Sequence, residues 1–171
     1  FVDETLRYFD FSLRLPDHER ERIPESGRIV IVANHPIGSL AGLALLRTVR
    51  QVRPDVKAVA NELLTAIDAL TPVLLPVHNM NGGTPRANLK RILAHLEDEG
   101  AIIIFPAGEV SRFSARGVRD GEWHTGFLKM ARKSKAPILP VYLAGRNSLF
   151  FYSLSMLARP VSTLWLVREM F

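Results

Sequence analysis

Short apolar runs recur along this chain, and the stretches between them carry their apolar residues at helical spacing. Ile29 to Ala33 and Ala101 to Phe105 contain no polar residue at all. Runs that are apolar at every position, rather than at every second one, read as strands buried on both faces, the signature of a parallel sheet. Val56 to Ala60, Val73 to Val77, Ile138 to Leu143 and Ser162 to Val167 are the other predicted strands, the second of these bounded by Pro72 and carrying Pro76.

Between the strands, Ser39 to Val52 predicts a helix with Leu40, Leu43, Ala44 and Leu46 on its apolar side and Ser39 as its N-cap. Glu62 to Leu70 predicts a short helix, and a longer one runs to Glu99 with Pro85 in its first turn and Gly100 at its end. Trp123 to Ser134 and Ser148 to Ala158 complete the set. At the start, Val2, Leu6, Phe9 and Leu13 give Phe1 to Leu15 the pattern of a covering helix, ended by Pro16-Asp17. Pro106 to Glu122 reads as a long loop. Strands alternating with helices predict a single α/β domain with a mainly parallel central sheet flanked by helices.

With 171 residues, 47% hydrophobic and 23% charged, the chain suffices for one core and is short for two, so residues 1–171 are expected to form one domain. Beginning at Phe1 and stopping at Phe171 straight after a strand-like run, it reads as trimmed at both ends. Without a cysteine there is no disulfide frame, thiolate nucleophile or Cys-ligated metal. No HExxH, EF-hand or Walker pattern suggests a metal or nucleotide site. No apolar run approaches the roughly 18–20 residues of a bilayer span, so membrane contact is expected to be peripheral or to lie in sequence beyond this chain. The net charge of +5 suits an acidic partner such as anionic lipid headgroups or coenzyme A phosphates. Nucleic acid is not expected, because the basic residues are dispersed and no recognition motif is present.

Chemistry gathers where the two clearest strands end. Ligand sites in open α/β sheets form beyond the carboxyl ends of the strands. There the chain reads Asn34-His35-Pro36-Ile37-Gly38 after the first run, and Phe105-Pro106-Ala107-Gly108-Glu109-Val110-Ser111-Arg112 around the end of the second. A neutral imidazole at His35 suits a general base; a loop histidine bonded to backbone is the alternative. Gly108 to Arg112 offers a backbone turn, the Ser111 hydroxyl and the Arg112 guanidinium to a phosphate or carboxylate. Glu109 could accept from a hydroxyl or amine, or simply pair with a neighbouring cation. Arg86, after a glycine pair and opening a helix, suits an anion, although Gly-rich turns with an arginine are common.

NHPIGSLAG, followed after some seventy residues by FPAGEVSR, resembles the glycerophospholipid (lysophospholipid/1-acylglycerol-3-phosphate) acyltransferase superfamily, in its hemolysin-related, ornithine-lipid-type branch. The resemblance extends over nearly the whole chain. It implies transfer of a fatty acyl group from acyl-CoA or acyl carrier protein to a lysophospholipid or lyso-aminolipid at the cytoplasmic face of a membrane, without a cofactor. In that family a histidine and an aspartate form a catalytic dyad, and the second block binds the acceptor. His35 matches the histidine, but the aspartate position of NHPxGxxDG holds Ala41. Arg86 resembles the arginine of the family's middle block, and Leu139 to Leu143 its VPV block. An alanine can neither fix the imidazole tautomer nor stabilise an imidazolium. Three accounts follow: an inactivating substitution, a catalytically silent acyl- or lipid-binding domain, or a substitute carboxylate from Glu109 or Glu62. His124 as a second base competes with a surface or capping role. Leu149 to Leu157 fits an acyl channel or a lipid interface, but hydrophobic burial favours the plainer reading of a buried helix.

Overall fold

The computed structural model describes residues 1–77, 86–115 and 117–157. In chain order these form α1 (Val2–Tyr8), α2 (Asp17–Arg20), β1 (Ile29–Ala33), α3 (Ser39–Arg50), β2 (Lys57–Asn61), β3 (Leu74–Val77), α4 (Arg86–Glu97), β4 (Ala101–Ile104), β5 (Arg112–Ser114), β6 (Gly117–Arg119), α5 (Gly126–Ser134), β7 (Ile138–Val141) and α6 (Leu149–Leu157). The predicted strand at Ser162 to Val167 lies outside the described residues.

Five strands make one parallel sheet in the order β3-β2-β4-β1-β7. The pleat sends alternate residues of β1 to opposite faces, and both faces are covered. Ile29, Ile31 and Ala33 join the core built with Leu45 and Val49 of α3, while Val30 and Val32 join the one built with Ile92 and Leu96 of α4 and Met130 of α5. That is why β1 and β4 are apolar at every position. The edge strands carry the prolines, Pro76 in β3 and Pro140 in β7, where a missing N–H need not break a ladder on both sides.

Four local expectations need correction. The first helix stops at Tyr8 rather than continuing to Leu15: Asp10 turns left-handed at φ 47°, Asp10 N–H donates to Arg7 O at 3.1 Å and Phe11 N–H to Leu6 O at 2.8 Å. This is a Schellman stop with aspartate in the glycine position. Phe11, Leu13 and Leu15 still pack on the core from irregular backbone, so the apolar spacing reported burial and not helix. Glu62 to Leu70 is replaced by two 3-10 turns, Glu62–Ala66 and Asp68–Val73, the first capped by Asn61 Oδ1 accepting from Leu63 N–H at 2.9 Å. The helix expected from Trp123 begins only at Gly126. Finally, the loop after β4 contains the antiparallel β5–β6 hairpin, which pairs Arg112 with Arg119.

Candidate functional site

β1 and β4 are neighbours, so the segments that leave their carboxyl ends meet. Asn34 extends the β1–β7 ladder by one side chain: its Nδ2 donates to Leu143 O at 2.9 Å and its Oδ1 accepts from Leu143 N–H at 2.7 Å. Next along, Pro36 O accepts from Asn147 Nδ2 at 3.0 Å. His35 is therefore fixed between two anchored neighbours. Gly38, at φ 86°, then turns the chain into α3; it is the N-cap, so the expected Ser39 cap is displaced by one residue and makes no side-chain capping bond. The left-handed φ is the reason a glycine stands there.

The second segment grips the first. Ser111 N–H donates to His35 O at 2.8 Å, and the His35 ring lies against Phe105, with centroids 4.4 Å apart and planes inclined at 36°. Phe105 also adjoins Gly42 of α3, where an added Cβ would sit 3.6 Å from the ring. The first turn of α3, Phe105 and the imidazole thus form one contiguous cluster. Ala41 belongs to that turn, buried among Leu45, Ile31 and Ala33, and the turn has no acidic residue. Nδ1 of His35 is buried and has no hydrogen-bond partner among the described residues. Burial pushes the imidazole down to about 4, against a smaller opposing pull from the Asp120 carboxylate, so the ring is neutral near pH 7.

Asp120 was not apparent in the sequence. It lies 85 residues from His35, yet its Oδ1 and Oδ2 accept from His35 N–H at 3.1 and 3.3 Å. Oδ1 also accepts from the Ser111 hydroxyl at 2.5 Å, and Oδ2 from Trp123 Nε1 at 2.9 Å. No spacing rule signals such a residue; an acid three places before a tryptophan, inside a loop, was the only trace. Glu109 does not take this place. Glu109 accepts from Arg112 Nε at 3.1 Å, and the Arg112 guanidinium lies 5.7 Å from the centre of the Phe151 ring.

The residues expected to bind substrate therefore differ in their surroundings. Glu109 and Arg112 form an ion pair at the base of the hairpin, adjoining the histidine segment. The Ser111 side chain is buried and its hydroxyl is engaged with Asp120. Arg86 is exposed in the first turn of α4, the helix that follows the edge strand β3. His124 is exposed beside the Gly108 turn, and its backbone N–H donates to Pro106 O at 3.0 Å. In α6 the burial divides: Phe151 and Tyr152 are buried, with Val110 and Val118 in the same apolar cluster, while Leu149, Phe150 and Met156 are exposed, Leu149 to 85%. Among the described residues no helix is long and apolar enough to cross a membrane.

Residues 4–171 match the family model described as Acyltransferase. The chain is 29% identical over 177 aligned residues to a lyso-glycine lipid O-acyltransferase of Phocaeicola vulgatus, covering 99% of this chain and 62% of that protein. It is 30% identical over 178 to the protein of the same description from Bacteroides thetaiotaomicron, covering all of this chain and 64% of that protein. It thus spans less than two thirds of the length of either relative.

Proposed function

The chain belongs to the acyltransferase family, and from that premise we propose that it carries the acyl-transfer centre of an enzyme that esterifies a lyso-lipid hydroxyl, with His35 as the base. The observation that carries the proposal is the neutral imidazole with an unpartnered, buried Nδ1, bordered by the helical turn that holds Ala41. With Nδ1 enclosed, Nε2 is the nitrogen that meets the acceptor. It takes the hydroxyl proton as the oxygen attacks the thioester carbonyl; the C–S bond then breaks, and the imidazolium returns the proton to the departing thiolate. No covalent enzyme intermediate is required.

A carboxylate on Nδ1 would stabilise that imidazolium, and position 41 is where the sequence pattern puts one. Alanine leaves the base weak: an imidazole held near 4 has little drive to accept a proton at neutral pH. Arg112 and Glu109 supply a cation and an anion beside the histidine segment, suited to an acceptor that carries both a carboxylate or phosphate and a hydroxyl or amide. Ser111 supports the loop, and Arg86 serves a more distant part of the donor or acceptor. The relatives' description as lyso-glycine lipid O-acyltransferases favours a lyso-aminolipid acceptor, with acyl-CoA or acyl carrier protein as donor. The exposed apolar residues of α6 suit peripheral contact with the cytoplasmic membrane face.

The same orphaned nitrogen favours a second reading, an acyl- or lipid-binding domain without turnover. Acyl-CoA thioester cleavage with a panel of lyso-lipid acceptors, on the native chain and on Ala41→Asp, separates the two. Acceptor-dependent turnover is expected to rise in the variant by up to about ten-thousand-fold, the size of the loss when the carboxylate of the serine-protease triad is neutralised. No turnover in either folded form, with acyl chains still bound, would leave the binding domain.

A further inference from the structure

The geometry points to Asp120 as a positioning residue for His35: its carboxylate holds the histidine's backbone N–H and joins it to Ser111 and Trp123, so the imidazole is aimed through its own main chain. The inference rests on the reading of His35 as the base. Three donors converge on Asp120, namely His35 N–H at 3.1 and 3.3 Å, the Ser111 hydroxyl at 2.5 Å and Trp123 Nε1 at 2.9 Å. Only an acceptor-only group satisfies all three, and an ionised carboxylate is such a group. An asparagine there would turn its own N–H₂ toward one of the donors.

The β5–β6 hairpin explains how a residue 85 positions away arrives at this spot. Its register sets Arg112 opposite Arg119, which leaves Ser111 and Asp120 facing each other across the open end. From that end Ser111 N–H reaches His35 O at 2.8 Å and Asp120 reaches His35 N–H. Both main-chain polar groups of the histidine are thus held by the two feet of one hairpin, and the Trp123 bond extends the hold toward α5. The ring itself has Phe105 against it and nothing on Nδ1. With no carboxylate among the described residues bonded to Nδ1, main-chain grip and aromatic contact are what set its direction. The Ser111 bond at 2.5 Å has the short length of a charge-assisted bond, while the His35 N–H is shared between the two carboxylate oxygens at 3.1 and 3.3 Å, so the carboxylate is fixed from the hairpin side and holds the histidine from there.

The test uses histidine-ring NMR on the whole chain. The His35 signals are identified by their loss in His35→Gln among the five histidines. In Asp120→Asn the His35 ring protons are expected to lose the shift that Phe105 imposes and their cross-relaxation with its ring, while amides around Arg53 stay unmoved. If Asp120→Asn does not fold, Trp123→Phe decides, with a smaller displacement of the same His35 signals. Unchanged His35 signals in the folded variant overturn the proposal. In whichever of the native and Ala41→Asp forms turns over, Asp120→Asn should lower kcat about a hundredfold, the cost of a misplaced reacting group, with KM for the acyl donor within twofold. Equal kcat values would overturn the positioning role. Absence of turnover from both parent forms counts against His35 as base, and the ring signals then decide the positioning alone.

Discussion

The two ends of the parallel sheet bury polar groups in opposite ways. At the amino end, Arg53 is 1% exposed and has all five N–H donors engaged: Nε and Nη2 with Asp55 at 3.0 and 2.7 Å, Nη1 with Pro24 O and Gly27 O at 3.2 and 2.8 Å, and Nη2 also with Glu99 O at 3.1 Å. Asp55 in turn accepts from Ala101 N–H at 3.2 Å, so the segments leading into β1, β2 and β4 are joined at one point. At the carboxyl end, His35 is held at its backbone while its ring nitrogen Nδ1 is buried without a partner. Buried polar groups are normally satisfied, and the saturated node is what a scaffold requires. An unsatisfied one beside firm backbone anchoring marks the place where stability has not been optimised, and it coincides with the candidate chemistry.

Removing the arginine is the harshest way to break this comparison. Arg53→Ala strips the guanidinium from Asp55, whose side chain is 39% exposed and can turn to water, and from three carbonyls at once; each buried acceptor left unsatisfied costs about 1–3 kcal/mol. Denaturant unfolding should show a loss of that order, with Arg53→Lys recovering only part of it, since an ammonium cannot fork between a carboxylate and three carbonyls. A loss below about 1 kcal/mol, the level of an exposed pair, would make the node incidental.

The same contrast explains what could be read from the sequence. β1 and β4 were legible because double-sided burial leaves no polar residue in either, and their carboxyl ends located His35 and the Phe105 to Arg112 segment. α3 followed from apolar spacing, and the end of α4 from the glycine after it. The node and Asp120 were not legible, because each depends on partners far along the chain: Arg53 reaches back to Pro24 and forward to Glu99, and Asp120 reaches His35 only once the hairpin has closed. The stop at Tyr8 escaped for a local reason. Asp10 adopts a conformation that glycine usually supplies, and an aspartate in sequence gives little warning of it.

Acid should act on the carboxyl end through His35. Its folded imidazole is pushed down to about 4 by burial, below an unfolded value near 6.5, so between those limits the unfolded chain binds the extra proton. Stability therefore rises with pH across this window: the contribution is complete above about 6.5 and is lost as pH falls through 4, and a difference of this size corresponds to about 3 kcal/mol. Carboxylates such as Asp55, held below the ordinary range by the Arg53 guanidinium, add a slope of the same sign at lower pH. The discriminating measurement is unfolding free energy from pH 7 to pH 4 for the native chain and His35→Gln. The glutamine variant should show a flatter curve, and parallel curves would mean that the imidazole is not held neutral by burial.

The smallest expected effect sharpens the comparison most, because it asks whether the carboxyl end can be converted into a satisfied site like the amino end. Ala41→Asp places a carboxylate in the buried first turn of α3, where the helix N-terminus favours negative charge but desolvation opposes it. If the new side chain meets Nδ1, it gains a charge-assisted hydrogen bond, worth about 1.5–3 kcal/mol. A double-mutant cycle on unfolding free energy, combining Ala41→Asp with His35→Ala, isolates that coupling from the cost of burying the acid. Coupling in that range would show that the two positions face each other and that alanine alone accounts for the orphaned nitrogen. Coupling indistinguishable from zero would place residue 41 out of reach of the ring, and the reading of Ala41 as the vacated partner of His35 would fall, whatever the turnover of the variant.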